Sequence, residues 1–128
     1  MVGIDIVKIS RIAEKTDNEK FCKRILNEVE YNYAFSKSKI ITRFGFDSVA
    51  MSVAGLFASK EAVLKALGVG MTNGYGFKDI TIDHDSLGAP FVKLSSKLQK
   101  VLEKLGKKQI SVSIAHDGEY ATAIAILN

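Results

Sequence analysis

The strongest constraint on this chain is one long apolar helix, predicted from about Val49 to Leu67. Its positions Val49, Val53, Phe57, Leu64 and Leu67 keep helical spacing. Ala50, Ala54, Ala58 and Ala62 add a face of small side chains that lets a neighbour pack closely. Ser48 is the expected N-cap, and Gly68 and Gly70 stop the helix. Three charges interrupt it, Lys60, Glu61 and Lys65.

The other elements are short. The β-branched run 2–7 predicts a buried strand. Asp17 or Asn18 caps a helix running through Phe21, Ile25 and Leu26, and Glu28 to Phe35 forms a further helical piece. The second half changes period. Phe77 to Ile82 alternates like a strand, Asp83 to Pro90 turns around Gly88, and Phe91 to Leu94 is a short strand. Ser95 or Ser96 caps an amphipathic helix to about Leu105, closed by Gly106. Ile110, Val112 and Ile114 alternate with small residues, Asp117-Gly118 signals a hairpin, and Tyr120 to Leu127 returns as a strand. Helices come mostly first and antiparallel strands last, so the class is α+β.

The 128 residues fit one domain, 1–128, and 47 % apolar content supplies a core without disulfides, which the lone Cys22 cannot form within the chain. No apolar run approaches the roughly 20 residues that span a bilayer. The N-terminus lacks the basic region and cleavage site of a signal peptide. The expectation is a soluble cytoplasmic protein. The net charge of +4 favours an anionic partner. Positive charge gathers in residues 8–24 and 93–108, each of which reads equally as a solvated helix face.

Asp5 stands alone among Val2, Gly3, Ile4, Ile6 and Val7. Aspartate is disfavoured in strands, and its flanks Ile4 and Ile6 look buried. A carboxylate in a core-like segment is costly unless paired. The bland alternative is an edge position or strand end that caps the turn at Ser10-Arg11. Glu61 and Lys65 are i,i+4 and share a helix face, so they form either a helix-stabilising ion pair or a catalytic pair. Lys60 lies about 100° round the helix and reads as a surface lysine. Two carboxylates make a poor closed cage for magnesium, but they suit a magnesium whose other positions hold substrate phosphates and waters. His116 ends a strand beside a turn, facing solvent or a bound anion, and His84 reads as an ordinary loop residue. Neither histidine joins Cys22 in a zinc pattern. There is no Walker A or G-x-G-x-x-G sequence.

Together these residues resemble a known family. Gly3-Ile4-Asp5-Ile6-Val7 with Arg11-Ile12, Phe21 with Arg24-Ile25-Leu26 and Glu30, and Ala58-Ser59-Lys60-Glu61-Ala62 with Lys65-Ala66-Leu67-Gly68 resemble the holo-(acyl carrier protein) synthases. These are the small bacterial 4'-phosphopantetheinyl transferases. Phe77-Lys78-Asp79-Ile80, Gly88-Ala89-Pro90 and Val112-Ser113-Ile114-Ala115-His116 followed by Tyr120-Ala121 extend the resemblance over nearly the whole chain.

The resemblance implies a fold with one long central helix packed on a mainly antiparallel sheet, with short N-terminal helices. It implies transfer of the phosphopantetheine arm of coenzyme A to a serine of acyl carrier protein, in the service of fatty acid biosynthesis. Asp5 and Glu61 match the family's Mg2+ ligands, and Glu61 and Lys65 the catalytic residues. Either Glu61 or a water held by it is the implied base. Lys60, Lys65, Gly68, Pro90 and His116 match coenzyme A-binding positions. Arg11, Lys20 and Arg24 match the docking surface for the acidic carrier helix. The family's homotrimer, with sites between subunits, is implied too, and neither nucleic acid nor membrane is an implied partner.

The chain departs from the family pattern at Leu56, where arginine or lysine is common, at Ala89, at Ala115 and at Val69. None of these is a proposed metal ligand. The competing reading is a basic, non-catalytic RNA- or protein-binding α+β module built on the lysine-rich 93–108 helix. The scattered aromatic residues lack the strand pattern that stacks bases.

Overall fold

The computed structural model describes residues 1–36, 40–70 and 73–128. The chain runs β1 (Val2–Lys8), α1 (Ile9–Ala13), α2 (Glu19–Ile25), α3 (Glu28–Phe35), α4 (Ser48–Leu67), β2 (Ile80–His84), β3 (Pro90–Leu94), α5 (Ser96–Lys104), β4 (Ile110–Asp117) and β5 (Tyr120–Leu127). The α+β expectation holds, with short helices before the long one and antiparallel pairing throughout. One sheet has the order β1-β5-β4, and β2 and β3 form a separate hairpin.

Helix α4 is the centre of the molecule, as its composition requires, and most of its side chains are buried on all sides. Its N-cap is Asp47, not Ser48. The Asp47 carboxylate accepts from the Ala50 amide at 2.6 Å, and Ser48 becomes the first helical residue. Gly68 ends the helix in the left-handed region at φ 70°, a backbone conformation that glycine reaches without strain.

The sheet meets α4 through its smallest residues. Ala121, Ala123 and Ala125 of β5 face inward and are buried, and Ala123 and Ala125 pair with Asp5 and Gly3 of β1. The closest approach is at Gly3. A Cβ there would lie 2.0 Å from the Ala62 carbonyl oxygen and 2.6 Å from the Ala66 amide nitrogen. No residue with a side chain fits between this strand and the helix.

The inward face of β1 is therefore Gly3, Asp5 and Val7. The expectation that Ile4 and Ile6 are buried is corrected. Within one chain they are 63 % and 65 % exposed, because β-strand side chains alternate and the helix lies on the other face. Val2, Ile124 and Ile126 are exposed on the same outer face.

The second half follows its expected order with shifted boundaries. Residues Phe77–Asp79 form a 3-10 turn rather than the start of a strand. The Asp79 carboxylate accepts from the Gly76 amide at 2.9 Å, a local bond that competes with strand pairing. Asp83 and His84 belong to β2 and Pro90 to β3, so the turn is shorter than expected. Ser95 caps α5. Asp117 pairs with Tyr120, so the β4–β5 turn is Gly118-Glu119, with Gly118 at φ 58° as a type II′ hairpin requires.

Candidate active site

Asp5 sits in mid-strand, on the face of β1 that meets α4. Across from it, one turn apart on the helix, stand Glu61 and Lys65. The Lys65 ammonium donates to the Asp5 carboxylate at 3.0 Å and to the Ile4 carbonyl at 3.0 Å, tying strand to helix. The Asp5 side chain is mostly covered, while Lys65 reaches solvent. On the strand side, Thr122 of β5 donates to the Asp5 carbonyl at 2.8 Å and holds the backbone there.

The Glu61 carboxyl is pushed above its ordinary value. Burial against the strand is the main cause, the charge of Asp5 the second, and Lys65 pulls in the opposite direction. Two carboxylates brought this near in a half-buried setting repel each other. A divalent cation relieves that repulsion. Among the described residues no third His, Cys, Asp or Glu joins them. The donor set therefore fits a hard cation that keeps open positions for phosphate oxygens and water, as magnesium does. It does not fit a closed structural metal site.

Lys60 is corrected by the structure. Assigned above to coenzyme A and read as a surface lysine, it is completely buried. Its ammonium donates to the Glu30 carboxylate at 2.6 Å, the Ile25 carbonyl at 2.5 Å and the Phe77 carbonyl at 3.1 Å. Burial pulls Lys60 below its ordinary pKa, and Glu30 opposes that pull. No ligand phosphate reaches this ammonium.

Pro90 and His116 belong to a different face of the molecule. They line a cavity of about 280 Å³ together with Leu56, Tyr33, His84 and Gly88. His116 Nε2 donates to the Met51 carbonyl at 2.9 Å. Gly55 makes room for this, since a Cβ there would come within 3.1 Å of the imidazole. Tyr33 and His84 stack in the cavity wall, with ring centroids 3.8 Å apart and 7° between planes. His84, dismissed above as a loop residue, is part of this wall. Its place in the strand β2 could have been found only by extending the alternation past Ile82.

The two groups stand on opposite sides of α4. Leu56 and Glu61 are about 140° apart round the helix axis. Asp5 lies on the β1 edge of the sheet and His116 on the β4 edge, with β5 between. Gly68 follows Lys65 on the side of the carboxylates. Arg11 on α1 and Lys20 and Arg24 on α2 are exposed. Neighbouring Lys23 is paired with Glu19 at 2.8 Å.

Glu30 is the residue that spacing alone missed. The signal was present as Asn27 followed three residues later by a glutamate, a capping-box pattern. The Glu30 carboxylate accepts from the Asn27 amide at 2.7 Å and from the Ile82 amide at 2.8 Å.

A central helix on a three-stranded sheet, with a carboxylate from each converging beside a lysine, defines a small α+β protein of one recognisable architecture. The chain belongs to the 4'-phosphopantetheinyl transferase superfamily, whose family description matches residues 1–125. It is 39 % identical over 127 residues to the holo-(acyl-carrier-protein) synthase of Clostridium acetobutylicum, covering 98 % of this chain and 94 % of that one. The crystal structure of the Helicobacter pylori synthase in complex with coenzyme A is similar over 100 % of both chains, at 34 % identity and a TM-score of 0.80. The Bacillus anthracis synthase in complex with coenzyme A (3',5'-ADP) is similar at 34 % identity and a TM-score of 0.77, over 98 % of this chain and 93 % of that one.

Proposed function

We propose that this chain transfers the 4'-phosphopantetheine arm of coenzyme A to a serine hydroxyl of apo acyl carrier protein. The products are the holo carrier protein and adenosine 3',5'-bisphosphate. The observation that carries this reading is the Asp5–Lys65–Glu61 cluster, in a family whose named members are holo-(acyl-carrier-protein) synthases.

Asp5 and Glu61 would hold Mg2+, which supplies positive charge beside the coenzyme A pyrophosphate. The rest of the chemistry belongs to the side chains. The serine oxygen attacks the β-phosphorus, and the bond to the bridging oxygen breaks. Negative charge grows on the departing bisphosphate. Lys65, fixed between strand and helix, is placed to neutralise that charge without reorganising. The serine proton goes to Glu61, directly or through a water that Glu61 orders.

Lys65 and Gly68 contact the phosphates in this reading, and Pro90 and His116 the nucleotide end. In one chain these groups lie on opposite sides of α4, so a single coenzyme A touches both only where two copies meet. The outer face of the sheet, with Val2, Ile4, Ile6, Ile124 and Ile126 exposed, is an apolar patch of the kind that self-association covers. Both observations support self-association with sites between subunits, and the family resemblance makes that assembly a homotrimer. Arg11, Lys20 and Arg24 dock the acidic carrier helix, and docking of that kind weakens with salt. The enzyme works in the cytoplasm, supplying carrier protein for fatty acid biosynthesis. Among the described residues no helix is long and apolar enough to cross a membrane.

The test is mass spectrometry of apo carrier protein incubated with this chain, coenzyme A and Mg2+. The expected result is a gain of about 340 Da per carrier, the mass of the arm. An unchanged carrier mass across metals and carriers refutes the reading and favours the non-catalytic module.

A further inference from the structure

Lys60 and Glu30 are both withdrawn completely from solvent, and the chemistry proposed above uses neither. Burying an ion pair costs more than burying apolar side chains of equal volume, so such a pair adds little net stability. What it adds is direction, and here the directional bonds are complete. Each of the three ammonium hydrogens of Lys60 has an acceptor, supplied by Glu30, the Ile25 carbonyl at the end of α2 and the Phe77 carbonyl in the 3-10 turn. Glu30 in turn is anchored by the Asn27 amide before α3 and the Ile82 amide in β2. The ammonium is thus held directly from three elements, α2, α3 and the 3-10 turn, with β2 joined through Glu30, and it is attached to a further one, α4.

Lys60 and Glu61 are neighbours about 100° apart on that helix. Whatever fixes the rotation of α4 at Lys60 fixes the direction of Glu61. On the strand side, the contact of Gly3 with Ala62 sets how close the helix lies to β1, and the bonds of Lys65 to Asp5 and the Ile4 carbonyl hold its rotation through a side chain that reaches solvent. The buried polar network holds the same rotation from another side of the helix.

We propose that Lys60 and Glu30 are a positioning pair for the transfer reaction: they set the rotation of α4 that turns Glu61 toward Asp5, and they tie it to α2, which carries Lys20 and Arg24. The proposal rests on the transferase reading given above. A carboxylate about 5–6 Å from the helix axis moves by about 1 Å when the helix turns by about 10°. A misplacement of about 1 Å at a reacting group costs on the order of 10²-fold in rate.

Two variants test this. Glu30→Asp keeps both charges and draws the carboxylate back by one methylene. The double variant Glu30→Gln with Lys60→Met strands neither charge and keeps an acceptor for one of the two backbone amides that Glu30 holds. Thermal melting establishes folding. The readouts are kcat, KM for coenzyme A at saturating Mg2+, and Mn2+ binding to protein with coenzyme A by electron paramagnetic resonance. In a folded variant kcat falls by about 10–100-fold, KM stays within about threefold, and Mn2+ binds more weakly. A folded variant with parental kcat and Mn2+ affinity overturns the proposal. So does loss of the fold in both variants, which makes the pair purely structural. If the parent protein transfers nothing, the transferase reading fails instead, and the Mn2+ comparison alone decides whether the pair positions Glu61.

Discussion

Gly3→Ala is the smallest change that reaches both the fold and the site. It adds one methyl group to β1, and the ideal position of that group is 2.0 Å from the Ala62 carbonyl oxygen and 2.6 Å from the Ala66 amide nitrogen. Both obstacles are backbone atoms of a fully formed helix, so no side chain can swing aside. Restoring even a tight contact of about 3.0 Å requires the strand and helix to separate by roughly 1 Å. Overpacking typically costs 1–3 kcal/mol, and this site belongs at the top of that range, about 3 kcal/mol. For a domain of this size that lowers Tm by about 10 °C. Asp5 lies two residues along the same strand and moves with it, so kcat for transfer falls by on the order of 10²-fold in protein that is still folded. Differential scanning calorimetry and a transfer assay well below the new Tm read the two effects separately. A Gly3→Ala protein that melts within about 2 °C of the parent and keeps its kcat refutes the close-packed account of this junction.

Other expected outcomes concern the charges. Asp5→Ala and Glu61→Ala each abolish most transfer while circular dichroism stays parental, and parental turnover in either removes that residue from the mechanism. Arg11→Glu raises KM for carrier protein by at least about tenfold and leaves KM for coenzyme A within about threefold, whereas equal losses would move Arg11 to the nucleotide site. Glu61 binds protons more tightly in the folded chain than at its ordinary pKa of about 4.5, so its ionisation opposes folding. Stability from this group is fully present below that value and is lost as pH rises through the raised one. Glu61→Gln therefore melts higher than the metal-free parent near neutral pH, and the difference disappears below about pH 4.5. Melting curves that run parallel at all pH values would contradict this assignment.

Much of the fold was readable because α4 carries a long apolar period, and because Asp5 is conspicuous among β-branched neighbours. The failures have specific causes. Lys60 looked like a solvated lysine because a helical charge pattern does not reveal a partner thirty residues away, and Glu30 is that partner. Ile4 and Ile6 announced an apolar face correctly, but alternation cannot say whether a helix of the same chain or a second copy covers it. Asp47 and Ser48 are both good caps, and only the hydrogen bond to Ala50 separates them. At Asp79 a local side-chain bond to Gly76 overrides an alternating pattern that otherwise favours a strand. The carboxylate cluster could be suspected from Asp5 and Glu61, but its separation from Pro90 and His116 by the width of a helix appears only in three dimensions.

The central claim is that Asp5 and Glu61 hold one divalent cation against the coenzyme A pyrophosphate. Mn2+ titrated into the protein with and without coenzyme A, and followed by electron paramagnetic resonance, measures this directly. The account predicts one site per chain that tightens with coenzyme A and weakens by at least about tenfold in Asp5→Asn and in Glu61→Gln. Undiminished Mn2+ affinity in either variant, or affinity indifferent to coenzyme A, contradicts it.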